Sequence, residues 1–487
     1  MKVDIGYASV FRVMGWLLLA LGIIMCIPLV VEICDGEEEW LGFVVAISGS
    51  LIIGGALTYG LRFHHLTFRR REGFMLVSLV WILFSAFGMI PFVMGNQSLG
   101  FSDAYFETMS GFTTTGATTI ADVESLSKGV LLWRSMTQWI GGLGIILFML
   151  ALLPALNEKG GLPMYNAETT GITHDKLHPQ IQKTAGCLWL VYLVITIVSI
   201  LLLWAGPMTF FDAVCQSFTT IATGGFSTRN DGIAYWNSDY VNVVLTGVMF
   251  LGGVNFALLY TFCQGKFRDL LKNDCFHWYM GIVFVIYLGI FFSLLIQGKI
   301  HSFSDAVITP MFHVVSAITT TGFGLPGFPT WGSWCLLLTM ILMMAGGCAG
   351  STAGAMKVDR IVAMHQNLQN EIRKALNPQR VYSVKVNGKV VKPEEMAKIS
   401  AFMTIYVLLT VAGALFLSAF DINLVDAFFA SISCIGDNGL GWGITGAAGG
   451  YHNLPDVTKW FLSFLMLAGR LELFSVLVLF AIPFWKK

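Results

Sequence analysis

Long apolar runs separated by short polar breaks occupy most of the chain. About 20 consecutive apolar residues cross a bilayer as a helix. Runs of that length occur at about 13–31, 40–61, 74–95, 129–153, 187–206, 241–262, 278–296, 334–364, 399–420 and 460–484. The pattern predicts an all-α polytopic membrane protein with ten transmembrane helices. The eighth run is long and interrupted by small residues. The first run can span a bilayer and lacks the short apolar core and small-residue cleavage site of a secretory leader, so it reads as a retained helix.

Composition agrees with this reading. The 487 residues are 55% hydrophobic and 12% charged, whereas a soluble domain has about 25% charged residues. Lysine and arginine collect in cytoplasmic loops of membrane proteins. With the N-terminus in the cytoplasm and ten alternating helices, 23 of the 29 basic residues fall inside, and both termini are cytoplasmic. The net charge of zero gives no electrostatic case for binding nucleic acid. The nine cysteines have no CxxC or metal-ligand spacing and lie mostly within apolar runs, so they read as small packing residues.

Four of the polar breaks repeat one pattern. They read DAYFETMSGFTTTGAT (Asp103 to Thr118), DAVCQSFTTIATGGFS (Asp212 to Ser227), DAVITPMFHVVSAITTTGFG (Asp305 to Gly324) and DAFFASISCIGDNGLG (Asp426 to Gly441). Gly116, Gly225 and Gly439 each follow their aspartate by 13 positions, and Gly322 follows Asp305 by 17. Four extra residues amount to about one helical turn, which predicts a longer third short helix. The aspartates suit helix N-caps, where a carboxylate accepts backbone N–H bonds at the positive end of the dipole. The unit is therefore helix, re-entrant short helix, loop, helix, occurring four times, with two N-terminal helices outside it. The expected boundaries are 1–70, 71–158, 159–265, 266–397 and 398–487.

Non-helical backbone at membrane depth survives only where it is buried in protein or lines water. Four such segments around one axis would offer carbonyl oxygens to an ion. Their Thr, Gly, Ala and Asn composition forms no ring of carboxylates, which suits a monovalent cation better than a divalent one.

These segments, with WRSMTQWIGGLGI (Trp133 to Ile145) and AGGCAGSTAGAMK (Ala345 to Lys357), make the chain resemble the Trk/Ktr/HKT superfamily of potassium transporters, and its TrkH/TrkG branch in particular. The resemblance covers nearly the whole chain. It implies four M1–pore helix–M2 repeats around a pseudo-fourfold pore, in a bacterial inner membrane protein that takes up potassium. It also implies a filter with one glycine per repeat, assigned to Thr114, Thr115 and Gly116; Thr223, Gly224 and Gly225; Thr320, Thr321 and Gly322; and Asp437, Asn438 and Gly439. The paired glycines of the second segment leave its register open by one residue. Asp437 either faces the ion or accepts a hydrogen bond behind the segment.

The stretch AGGCAGSTAGA breaks the eighth run. Its residues fit either a closely packed helix or an unwound loop beneath the filter. The resemblance implies the second, with Gly346, Gly347, Gly350, Ser351, Thr352 and Gly354 as a gate and Arg470 beside it. Arg470 reads as mid-helix, with Glu472 an awkward partner because i and i+2 lie on different helix faces. Arg134 reads as snorkelling at an outer helix end, His313 as a hydrogen-bonded structural residue, and Asn255 as a contact between helices. The basic stretch from Val358 to Lys398 begins as helix through Leu376 and continues as a hairpin turning at Asn387-Gly388. The resemblance implies that it docks a TrkA-like cytosolic nucleotide-binding ring, and that the protein is a homodimer. The chain itself has no GxGxxG or GxxxxGK[ST] motif and no predicted cofactor; potassium is its expected substrate.

Three other functions compete with this reading. A sodium-coupled or weakly selective cation transporter or symporter shares the same signals. An intramembrane enzyme would need converging His, Asp, Glu or Ser–base groups at membrane depth, and the chain has few there. A proton-coupled carrier with broken helices would show inverted repeats and buried carboxylates.

Overall fold

In hydrocarbon every backbone N–H must find its acceptor within the protein, so apolar runs of Leu, Ile, Val and Phe close into helices. The computed structural model describes residues 5–37, 39–64, 70–95, 98–144, 181–446 and 450–485. Six stretches in it are long and apolar enough to cross a membrane: Gly6–Asp35, Trp40–Gly60, Arg71–Met94, Thr184–Trp204, Asp274–Ile296 and Pro393–Ser418. Two more runs are sharply bent. Asp239–Gly252 meets Phe256–Cys263 at 104°, and Asp456–Arg470 meets Phe474–Phe480 at 112°.

The run expected at 129–153 begins with helix Lys128–Gly142. Its far end, and the boundary expected at 158/159, lie outside the described residues. The run expected at 334–364 is not one span. Helix Ser333–Ala345 stops at Gly346, where φ is +73°. The backbone is then non-helical until the amphipathic helix Val358–Leu376 begins.

Four short helices occupy the repeated breaks: Phe101–Phe112, Phe210–Ile221, Thr309–Ile318 and Leu424–Ile435. Their aspartates are not the N-caps. Gly100, Thr209 and Asn423 hold those positions in the first, second and fourth, and Asp103, Asp212 and Asp426 lie in the first turn. The Thr209 hydroxyl accepts from the Asp212 N–H at 3.1 Å and donates to its carboxylate at 2.9 Å. A carboxylate still gains from the helix dipole within the first turn, so the residue three positions earlier can do the capping. In the third unit the four extra residues enter as a π turn, Ser304–Ile308, a wider turn than the α-helical one expected. Ala104, Ala213 and Ala427, which follow three of the aspartates, are fully buried.

Among the described residues, one apolar core joins the N-terminal helices to the first short helix and the last helices, and a second spans the middle of the chain. The hairpin expected at Asn387-Gly388 is present. Lys385 pairs with Val390 and Val386 with Lys389. Both turn residues have positive φ, +50° and +74°, as a type I′ turn requires. The Asn387 side-chain carbonyl accepts from the Asp274 N–H and the Asp274 carboxylate from the Asn387 N–H, each at 2.8 Å.

Candidate functional site: a ring of four segments

After each short helix the backbone leaves the helical ladder in the same way. Thr114, Thr223, Thr320 and Asp437 have φ of +58°, +52°, +56° and +52°. Two residues on, Gly116, Gly225, Gly322 and Gly439 have φ of +84°, +80°, +80° and +72°. The residue between donates its N–H back into the helix. Thr115 bonds Ser110 O at 2.9 Å, Gly224 bonds Thr219 O at 2.8 Å, Thr321 bonds Ser316 O at 2.9 Å and Asn438 bonds Ser433 O at 2.9 Å. This shared geometry sets the register of the second segment at Gly225. Left-handed non-glycine residues cost about 1–3 kcal/mol each and persist only where their surroundings hold them. A β-branched threonine is especially unsuited to that region.

The segments meet in chain order. A Cβ on Gly116 would collide with the Gly224 carbonyl oxygen, one on Gly225 with that of Thr321, one on Gly322 with that of Asn438, and one on Gly439 with that of Thr115. Each glycine is thus pressed against the middle carbonyl of the next segment, and the fourth segment returns to the first. Positive φ and this close approach both require glycine. The result is a closed ring of backbone oxygens.

Side chains hold the ring from outside. The Thr113 and Thr115 hydroxyls are 2.8 Å apart, as are those of Thr319 and Thr321. Gln138 donates to Gly224 O at 2.7 Å and accepts from the Phe226 N–H at 3.2 Å. The Asn438 amide donates to Ala317 O at 2.8 Å. Asp437 is fully buried and its Oδ1 accepts from the Thr115 hydroxyl at 3.1 Å. This is the hydrogen-bonding role, one of the two that the sequence left open.

Glu107 and Gln216 escaped the sequence reading, and His313, read there as a hydrogen-bonded structural residue, belongs to the same set. Nine positions before the four glycines stand Glu107, Gln216, His313 and Ala430. Glu107 Oε2 accepts from the Thr119 N–H at 2.8 Å, and His313 Nε2 accepts from the Leu325 N–H at 3.2 Å. The Gln216 amide donates to Ser227 Oγ at 2.8 Å. Three short helices therefore clasp the chain emerging from their own segment, and the common offset was the signal that could have found them. Arg134 does not snorkel. It is buried, with Nε 2.6 Å from Glu107 Oε1. It also donates to Ser227 O at 2.8 Å and stacks 3.7 Å from the Phe226 ring. The buried Glu107 carboxylate supplies the counter-charge that makes this position tolerable.

The small-residue stretch is an unwound strap against the ring. The Gly354 N–H donates to Thr320 Oγ1 at 2.8 Å. A Cβ on Gly354 would strike the Gly436 carbonyl. The Thr352 hydroxyl contacts Ile221 O and Gly252 O, each at 3.0 Å. The Cys348 N–H donates to Gly253 O at 2.9 Å, and Gly350 O accepts from the Phe256 N–H at 2.9 Å. Ser351 Oγ donates to Cys348 O at 2.6 Å, and Gly347 O accepts from the Val358 N–H at 2.9 Å. The strap opens at Gly346 and touches the second, third and fourth units.

Asn255 is not mid-helix. It caps Phe256–Cys263, accepting from the Ala257 and Leu258 N–H groups, and donates to Ala349 O at 2.7 Å. Arg470 is not mid-helix either. It ends Asp456–Arg470, just before Glu472 and Leu473, whose φ values are +56° and +53°. Its guanidinium donates to Thr352 O at 2.9 Å, Gly141 O at 2.5 Å and Gly142 O at 2.6 Å. It thereby joins the strap to the C-terminal, partly negative end of Lys128–Gly142. Glu472 pairs instead with Arg360 at 2.5 Å and Lys357 at 3.6 Å.

A helical, multi-pass membrane protein with broken helices around a ring of backbone oxygens is the architecture of a cation transport protein, and comparison with known proteins agrees. The TrkH family model, described as "Cation transport protein", matches residues 42–486. The chain is 33% identical to the Trk system potassium uptake protein TrkH of Escherichia coli K12, covering 99% of this chain and 100% of that protein. It is 31% identical to the TrkG protein of the same strain, covering 97% of each. The crystal structure of the potassium transporter TrkH from Vibrio parahaemolyticus superimposes with a TM-score of 0.88 at 32% identity over 100% of both chains. The chain belongs to the TrkH family of Trk potassium uptake proteins. It is a transport protein, not an enzyme.

Proposed function

We propose that the ring is a potassium selectivity filter through which this protein admits potassium to the cytoplasm. The observation that carries the proposal is the cyclic contact of four congruent segments, each glycine against the next segment's carbonyl. Carbonyls of Thr114, Thr115, Thr223, Gly224, Thr320, Thr321, Asp437 and Asn438, spaced by the four glycines, would replace the hydration shell of a monovalent cation. Four repeats in ten spans, bounded at 71–158, 159–265, 266–397 and 398–487 after the N-terminal pair 1–70, would arrange them around a pseudo-fourfold pore. Both termini would then be cytoplasmic.

The strap of Gly346, Gly347, Gly350, Ser351, Thr352 and Gly354 is the proposed gate. It meets three of the four units, so it can block the path as one body. Arg470 adds a fixed positive charge beside it and ties it to Gly141 and Gly142. The basic helix and hairpin of residues 358–398 are the proposed docking surface for a TrkA-like nucleotide-binding ring, in a complex with a homodimer of this chain. The experiment is potassium-limited growth of an uptake-deficient bacterial strain, with and without such a subunit, beside rubidium and sodium flux in proteoliposomes. Rescue with rubidium flux far above sodium flux is expected. Equal permeation of the two would overturn the potassium assignment in favour of a sodium-coupled or weakly selective transporter. Asp437, a carboxylate where the three other segments carry threonine, is the observation that favours that second reading.

A further inference from the structure

The helix that ends at Arg470 turns sharply through Glu472 and Leu473, both in the left-handed region. The strap ends in a second left-handed turn, with φ of +60° at Ala355 and +70° at Lys357. Residues other than glycine keep such backbone only where their surroundings hold it. One carboxylate joins the two turns. Glu472 Oε1 lies 3.6 Å from Lys357 Nζ, and Glu472 Oε2 lies 2.5 Å from Arg360 Nη2. Lys357 immediately precedes helix Val358–Leu376, and Arg360 lies in the first turn of that helix. Both cations are buried, at 6% and 7% exposure. The Arg360 guanidinium also donates to Met356 O at 3.4 Å and stacks 4.0 Å from the Phe402 ring of helix Pro393–Ser418. Among the described residues, Arg360, Arg470 and Asp359 are further charges acting on Lys357, and Lys357 in turn acts on Asp437.

We infer that Glu472 is a positioning residue for gating, latching the end of the strap and the first turn of helix Val358–Leu376 to the turn after Arg470. The inference rests on the proposed reading of the strap as gate and of residues 358–398 as docking surface, and it supplies the link between them. Arg470 grips the strap at Thr352 O, and Glu472 grips it at Lys357. One turn of the chain therefore fixes the strap at two points. Lys357 on the strap and Arg360 on the cytoplasmic helix share the Glu472 carboxylate, so a displacement of the helix that draws Arg360 away also disturbs the strap's end. Removing one partner of a buried ion pair leaves the other charge uncompensated. Without the Glu472 carboxylate, Lys357 and Arg360 remain as buried like charges, and their repulsion favours release of the strap's end from the turn.

The test is resting rubidium flux of the full-length protein in proteoliposomes, without any regulatory subunit. Glu472→Gln should raise that flux several-fold and leave the ratio of rubidium to sodium flux unchanged, because the ring is not touched. Glu472→Asp keeps the charge and should stay near the wild type, an outcome that a purely steric role would not give. Arg360→Gln should also raise the flux, and combining it with Glu472→Gln should raise it no further than Glu472→Gln alone, since residues of one interacting unit are not additive. If Glu472→Gln is not recovered folded, Lys357→Gln and Arg360→Gln carry the test, and neither should exceed the other's effect when the two are combined. Wild-type flux in the recovered variants, or effects that simply multiply, would overturn the latch. Deletion of Gly346 to Gly354 separates the two readings. Flux raised by the deletion but not by Glu472→Gln would leave the strap as gate and remove the latch, whereas flux raised by neither would take both away.

Discussion

Arg134 and Glu107 sit face to face with almost no exposure. Breaking a buried pair strands the remaining charge, at about 3–5 kcal/mol. Arg134→Leu should therefore lower unfolding stability in detergent by about that amount, and joining it with Glu107→Gln should recover much of the loss. An Arg134→Leu penalty below about 1 kcal/mol would mean that the pair is solvated. At the ring, any side chain on Gly225 or Gly439 meets a neighbouring carbonyl. Gly225→Ser and Gly439→Ser are expected to relax the preference for rubidium over sodium, read as a fall in the flux ratio in proteoliposomes. An unchanged ratio in both would count against the filter assignment. The glycines were legible because a repeated offset marks them. The Arg134 pairing was not, because Glu107 lies 27 positions away and only the fold brings them together. Asp437 illustrates the same limit: its type was visible, but its hydrogen bond reaches Thr115 on the opposite side of the chain's order.

At the level of elements, the strap gains its shape from what surrounds it. Its N–H and C=O groups find partners on the second, third and fourth units rather than in a helix of their own. Asn255 contributes a helix cap of about 1 kcal/mol and a bond to Ala349. Asn255→Ala should lower stability by about that much and raise resting rubidium flux, while deletion of Gly346 to Gly354 should raise it further and abolish control by a regulatory subunit. Flux at wild-type level after the deletion would remove the strap from gating. The glycine-rich composition marked this stretch but fitted a closely packed helix as well, and it was the family resemblance that pointed to the unwound loop. The break after Arg470 had no such sign, since LELF contains neither proline nor glycine. There the chain is turned by tertiary contacts, with Glu472 drawn to Arg360 and Lys357. The aspartates of the short helices were placed three positions late for a related reason. Thr209 and Asn423 are equally good caps, and local sequence alone does not rank them above a neighbouring carboxylate.

For the molecule as a whole, hydrophobic run length and the distribution of basic residues carried most of what could be read. They yielded the helical membrane class and the repeated breaks. They could not yield the sharp bends at 104° and 112°, which split apolar runs without interrupting their hydropathy. The charge distribution makes a prediction of its own. A fluorescent protein fused after Lys487 should be bright, and a phosphatase that requires the periplasm should be inactive at the same position. The reverse result would invert the topology.

The closed ring has one more consequence. In a channel assembled from identical subunits, every substitution is repeated at each symmetric position. Here four unlike segments of a single chain complete the circle, so one codon change alters a quarter of it. If the ring is the proposed filter, selectivity can drift in quarter steps, with three intact segments preserving the geometry while the fourth varies. The Asp437-Asn438 segment, set among three that carry threonine where it carries Asp437, is a quarter that already differs from the rest.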